Sequence, residues 1–300
     1  MIFTSESLAV ALGLGVMDAE TESYLLLLLS DGNLPTGSFV ASSGLESHIT
    51  HALGSSRDAM GSTLAFVRDS IGTYARSALP FARDAQQTIL TYSTVSSSEN
   101  DEQTTRVLDM LVRLDALYEA TTLNHVTRRA SCSQGVALLT LYTKGFSCPN
   151  SLFSEKPDAQ RERESRLGNL VSRLKLLVRS EQTHGHLPIC WGVLAGALGL
   201  SIERGTHLHL FLHARGILSA AIRMNALGPY AAQQLLLHAV RPLVDAEAKR
   251  SEGRTTGLWR DEREDVNVLE ESAIGPATTW PLGEILAARH DQLHSRIFNS

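Results

Sequence analysis

The chain has 300 residues, of which 43% are hydrophobic and 20% charged, with a net charge of −5. That length can bury a sizeable core, in one large domain or two small ones, and that composition excludes wholesale disorder. The acidic balance offers no basic field to hold nucleic acid or an anionic surface, and no run approaches the roughly 20 apolar residues that span a membrane.

The first 21 residues carry a short apolar stretch without a positively charged start, followed by acidic residues, so residues 1–21 are expected to form a disordered head rather than a targeting signal. Beyond it, leucine, alanine and valine recur at spacings of three and four, and alternating β-branched runs are nearly absent. The fold class is therefore all-α, and residues 22–300 are expected to form a single compact helical domain. The predicted helices are Thr21 to Ser30, Ser43 to His51, Asp58 to Leu79, Phe81 to Tyr92, Thr104 to Leu123, Arg128 to Tyr142, Ser165 to Gln182, Leu187 to Leu198, Arg204 to Asn225, Tyr230 to Arg250 and Leu282 to Ser295. Pro80 and Pro229 mark breaks or first-turn positions, since proline lacks an N–H and clashes with the preceding turn. Solvated loops are expected at 95–103 and, as longer insertions, at 148–165 and 250–265, where serine, proline, glycine and charge dominate.

Between the first two helices runs LSDGNLPTGSFVASSGLE, residues 29–46. Leu34 before Pro35 is biased towards extended backbone, Gly37 can supply a positive φ, and Ser43 with Glu46 matches the S-x-x-E pattern of a capping box. Phe39 in this small-residue turn is either a plug for the core or an anchor for a partner.

Two histidine groups are candidate metal ligands. His184 and His186 flank Gly185 before a proline-led helix, where an imidazole could bind a divalent metal or satisfy open backbone groups. His209 and His213 stand four apart and so share a helix face, but Leu210 follows His209 where a zincin helix needs glutamate; a half-exposed helix surface is the expectation there. Gly192, Gly196 and Gly199 with Ala195 and Ala197 form a small-residue face suited to close helix packing, in the core or at a dimer interface. Cys132, Cys148 and Cys190 contain no C-x-x-C pair, so neither a disulfide framework nor a thiolate zinc site is indicated, and a reducing cytoplasmic compartment fits. No Walker phosphate loop, dinucleotide fingerprint or G-x-S-x-G elbow occurs.

Five blocks, taken in order, resemble the UreF family of urease accessory proteins: LSDGNLPTGSFVASSGLES, LNHVTRRASCSQGVALLTL, GHLPICWGVLAGALGLS, LSAAIRMNALGPYAAQQLL and RHDQLHSRIFNS. The resemblance implies an all-helical, homodimeric scaffold with no catalysis and no permanently bound cofactor. Its implied partners are a second accessory protein, UreH (also called UreD), the GTPase UreG and apo-urease, with nickel handled by the complex. It further implies signature positions at Pro35, Gly37, Ser43, Gly44, Glu46, Gly185, His186 and Arg223. Partner-binding positions would be Phe39 and, in a tail that orders on binding the second accessory protein, Ser295, Arg296 and Phe298. The other reading left open is an independent helical nickel- or zinc-binding protein, or a metalloenzyme, built on His184, His186, His209 and His213.

Overall fold

The computed structural model describes residues 17–51, 58–94, 100–147, 149, 158–258 and 275–300. Its α-helices in chain order are α1 (Ala19–Leu29), α2 (Leu45–Thr50), α3 (Ala59–Ser77), α4 (Leu79–Ser93), α5 (Asn100–Thr121), α6 (His125–Leu141), α7 (Asp158–Arg179), α8 (Leu187–Leu198), α9 (Ile202–Arg223), α10 (Pro229–Leu235), α11 (Arg241–Arg250) and α12 (Pro281–Arg289). No strand occurs among the described residues, so the all-α expectation holds. None of the described helices is long and apolar enough to cross a membrane.

The central element is α8. Its residues 188–196 are all buried, as expected of a helix that is apolar all round. It packs most closely on α4, because Gly192 and Gly196 bring the two backbones together: a Cβ on Gly192 would lie 2.3 Å from the Ala82 carbonyl oxygen. The small-residue face is thus a core contact. Around this pair, α5, α6 and α7 contribute Leu111, Leu114, Leu139, Leu167 and Leu170 to one apolar cluster. A second cluster joins α2, α3, α9, α10, α11 and α12, and Tyr74 and Phe211 touch both. Burying each such leucine is worth about 1.5–3 kcal/mol, which fixes the helix faces.

Several expected boundaries move. The head was expected to reach residue 21, but α1 begins at Ala19 because the Asp18 carboxylate accepts the Thr21 N–H at 2.8 Å; residues 1–16 lie outside the described residues. The loop expected at 95–103 gives way to helix from Asn100, with Asp101 and Glu102 placed favourably against the N-terminal end of the helix dipole. Of the insertion expected at 148–165, residues 158–165 are the first turns of α7, supported by the Arg161–Asp158 pair, and residues 148 and 150–157 lie outside the described set. In the insertion expected at 250–265, Thr256 is tied to the core: its N–H and hydroxyl donate to Asp84 Oδ2 at 2.8 and 2.6 Å. Residues 259–274 lie outside the described set.

The helix expected from Tyr230 to Arg250 is interrupted by a π turn, Leu236–Val240, since Pro242 at the start of α11 has no N–H to continue the ladder. Asn124 starts α6 three residues early, its Oδ1 accepting the Val126 and Thr127 N–H groups. The last helix was expected to run to Ser295. It ends at Arg289, a 3₁₀ turn follows over His290–Gln292, Leu293 is extended, and the tail then bends at 294–295 and 297–298.

Candidate functional site

The tail and the glycine-rich turn form one unit. Glu46 is 2% exposed, and its carboxylate accepts the Ile297 N–H at 2.6 Å and the Phe298 N–H at 3.2 Å. His290, fully buried, donates Nε2–H to the Phe298 carbonyl at 3.2 Å. Ser42 completes the clasp, its N–H and hydroxyl both donating to the Ser300 carbonyl, while the Asn299 N–H donates to Val40 O. The capping box expected of Ser43 and Glu46 is therefore absent. Ser43 and Gly44 instead take φ of +52° and +86°, Gly44 stands at the helix N-cap, and Glu46 looks away from its own helix to the tail.

Above the clasp, the Arg223 guanidinium is stacked between two rings, 3.8 Å from the Phe39 centroid and 4.2 Å from that of Phe298. Burial lowers the pKa of Arg223 from its ordinary value. Phe39 is 65% exposed and Phe298 only 2%, so Phe39 does not plug the core; Phe298 does. Ser295, Arg296 and Ile297 face outward, as do His294 and Asn299. Gly37 has the anticipated positive φ of 71°, and Pro35 is exposed on the same turn. Arg129 forms a two-point pair with Asp291 at 2.9 and 3.0 Å, and Arg296 adds a third contact at 2.9 Å. These bonds, led by the Arg129 hydrogen bond, hold the Asp291 carboxyl well below the usual carboxylate range.

The loop before α8 is organised by Asp115, a buried carboxylate on α5. Its Oδ2 accepts the Thr183 hydroxyl and the backbone N–H groups of His184 and Gly185, and its Oδ1 accepts the His186 N–H at 2.8 Å. Gly185 has φ +74°, and its carbonyl lies where a Cβ on Gly135 would be, 2.0 Å away, so both glycines are required for this approach. The helix N-terminus is satisfied by Ser131, whose hydroxyl accepts the Leu187 N–H, and not by His186.

The His186 ring is fully buried and runs from Glu119 to Cys132: Nε2–H donates to Glu119 Oε2 at 2.8 Å, and Nδ1 lies 3.4 Å from the Cys132 sulfur. A carboxylate can only accept, so Nε2 carries the proton and Nδ1 accepts from the thiol. Burial pushes that thiol up to about 12, which keeps it protonated. Burial also lowers the His186 pKa, against the opposing pull of Asp115 and Glu119. Arg128 NH1 pairs with Glu119 Oε1 at 2.7 Å, and the same guanidinium donates to the Glu119 and Thr122 carbonyls at the end of α5. His184 is exposed on the outer side, its ring 5.5 Å from that of His186. Glu119, His184 and His186 each offer one donor atom, and the three lie within 4.8 Å of one another. Asp115 and Glu119 escaped the sequence reading although their spacing of four, which puts both on one face of α5, was a usable signal.

His209 points into the core and not onto the half-exposed surface expected of it, whereas His213 keeps the expected intermediate exposure. His209 Nε2 lies 2.8 Å from the Tyr74 hydroxyl, with its ring stacked on Trp191 at 4.8 Å. His213, half-buried, stacks on Tyr74 at 4.1 Å and 6° and places Nε2 2.9 Å from the Ser70 hydroxyl. Burial drives their pKa values down to about 3 and about 4. Both stay neutral, and the Nε2 of each is already engaged with a hydroxyl.

Similarity to known proteins agrees with this architecture. The UreF family model matches residues 59–240. The chain is 41% identical to urease accessory protein 6 of Cryptococcus neoformans var. grubii over 93% of this chain and 97% of that one. It is 29% identical to an uncharacterized UreF-like urease accessory protein of Schizosaccharomyces pombe, over 94% and 99% of the two chains. With urease accessory protein F of Arabidopsis thaliana it shares 28% identity over 91% and 90%. A family match over more than half of the chain, joined to a near full-length relative above 40% identity, leads to one assignment: the chain belongs to the UreF family of urease accessory proteins.

Proposed function

We propose that this protein is a scaffold for urease maturation. It binds the accessory protein UreH/UreD, recruits and regulates the GTPase UreG with it, and so directs nickel into apo-urease, acting as a homodimer in the cytoplasm. The observation that carries this reading is the near full-length similarity to a fungal urease accessory protein. Members of the family are accessory proteins and not catalysts.

The geometry supports a partner-facing role for the clasp. Phe39, Val40 and Ile297 are large apolar side chains left 65%, 41% and 61% exposed around a tail held by a few hydrogen bonds. Arg296 sits among them on a carboxylate already satisfied by Arg129, so its guanidinium is free to turn to a partner's carboxylate without leaving Asp291 alone.

Deleting the gene in a urease-producing host tests the role: urease should accumulate without nickel or activity, and reintroducing the gene should restore both. Fully active urease in the deletion strain overturns the reading. Within a restored strain, Arg296→Ala should leave the fold intact and weaken capture of the GTPase about tenfold, or about 1.4 kcal/mol, in a pull-down with both partners.

A further inference from the structure

The geometry points to a binding site for a first-row divalent transition metal, Zn²⁺ or Ni²⁺, formed by Glu119, His184 and His186 at the mouth of the α5–α8 junction. Two imidazoles and one carboxylate are a donor set that suits these ions and not magnesium or calcium, which take all-oxygen shells.

Two of the three donors are held in place. The His186 backbone is fixed by Asp115 and its ring by Cys132, and Glu119 is anchored through its other oxygen by Arg128. Supporting contacts of this kind orient ligands in metal sites. Glu119 Oε2 accepts the His186 Nε2–H at 2.8 Å. In a tetrahedral site with bonds of about 2.0–2.2 Å the donors stand about 3.4 Å apart. Binding therefore replaces the Nε2 proton by the cation and opens that pair by about half an ångström. The displaced Nε2 proton is balanced by the other tautomer of the ring, in which Nδ1–H donates to the Cys132 sulfur.

His184 supplies the mobile arm. Its ring is exposed, and the donor atoms span at most 4.8 Å, so a side-chain rotation brings it to bonding distance. The local charges favour a cation: the carboxylates of Asp115 and Glu119 outweigh the single guanidinium of Arg128. Three protein ligands leave a coordination position open to water on the exposed side, which suits uptake and release more than permanent structural retention. The site stands on these side chains alone, independently of any role in urease maturation.

Isothermal titration of the untagged full-length chain with NiCl₂ and with ZnCl₂, with MgCl₂ as control, tests it. One equivalent of nickel or zinc should bind per chain and magnesium should not. His184→Ala should weaken binding at least about tenfold without shifting the thermal melt, because its ring is exposed. Glu119→Gln should weaken it too, and a Co²⁺-loaded chain should show visible absorption bands that fade in both variants. His207→Ala, at an exposed histidine 2.7 Å from Asp245, should change nothing. Absence of stoichiometric binding, unchanged affinity in His184→Ala, or loss in His207→Ala would each overturn the site. Because binding is read on the isolated chain, its failure is distinct from failure of urease activation.

Discussion

The two histidine pairs begin as equals in the sequence and end in opposite states. His209 and His213 are enclosed by Tyr74, Trp191 and Ser70, and the Nε2 of each meets a hydroxyl. His184 and His186 sit on a loop that Asp115 pins from below, with one ring buried against Glu119 and the other in solvent. Ligand capacity follows from whether a carboxylate lies beside the imidazoles and whether one ring is open to solvent, and spacing along the chain does not report either. A pair four apart on a helix, ideal for chelation on paper, is lost to the core. The pair two apart on a loop gains a carboxylate from another helix and an open side.

The largest test of this contrast is Asp115→Ala. It removes the acceptor of three backbone N–H groups and one hydroxyl in a buried loop, and unpaired buried donors are costly. A loss of about 3–5 kcal/mol is expected in chemical denaturation. In variants that still fold, the histidine signals of His184 and His186 should move in NMR spectra while those of His209 and His213 stay. Equal disturbance of both pairs would break the comparison.

Acid should strike the other pair harder. His209 and His213 are held neutral in the fold, with pKa values near 3 and 4, whereas in the unfolded chain they protonate near 6.5. The unfolded state therefore binds more protons below pH 6.5. The stabilisation is complete above that value and is lost as pH falls towards the folded-state values. Moving from pH 7 to 5 should cost about 2 kcal/mol for each of these histidines. Urea titrations across that range check it, and replacing both histidines by glutamine should flatten the profile.

Much of the fold was legible because helical periodicity is a local property: the apolar α8, its glycine face and the positive φ at Gly37 are all written in neighbouring residues. What failed depended on distant partners. Ser43 and Glu46 match a capping pattern, yet Glu46 binds N–H groups 251 and 252 positions away. Glu119 meets His186 across 67 residues, and the Thr256 anchor reaches Asp84 across 172. A local pattern lists what a side chain could do with its neighbours; burial decided the matter by bringing a stronger partner from elsewhere. Phe39 shows the same limit, since only the fold sets the Arg223 guanidinium under its ring.

Tyr74→Phe probes the core pair more gently. It keeps the ring that stacks on His213 and removes the hydroxyl 2.8 Å from His209 Nε2, leaving that nitrogen unpaired in a buried site. A loss of about 1–2 kcal/mol is expected, without any change in metal binding at the loop.

His184→Ala should have the smallest effect on stability, within about 0.5 kcal/mol, and that smallness is informative. Its backbone N–H remains on Asp115, its ring is exposed, and the buried neighbour His186 keeps its bonds to Glu119 and Cys132. A residue whose removal the fold barely registers, but whose removal lowers metal affinity at least tenfold, holds its position for the ligand and not for the core. Thermal melts and metal titrations on the same preparation separate those two quantities. A melt that falls by several degrees would instead make His184 another packed histidine and dissolve the difference between the pairs.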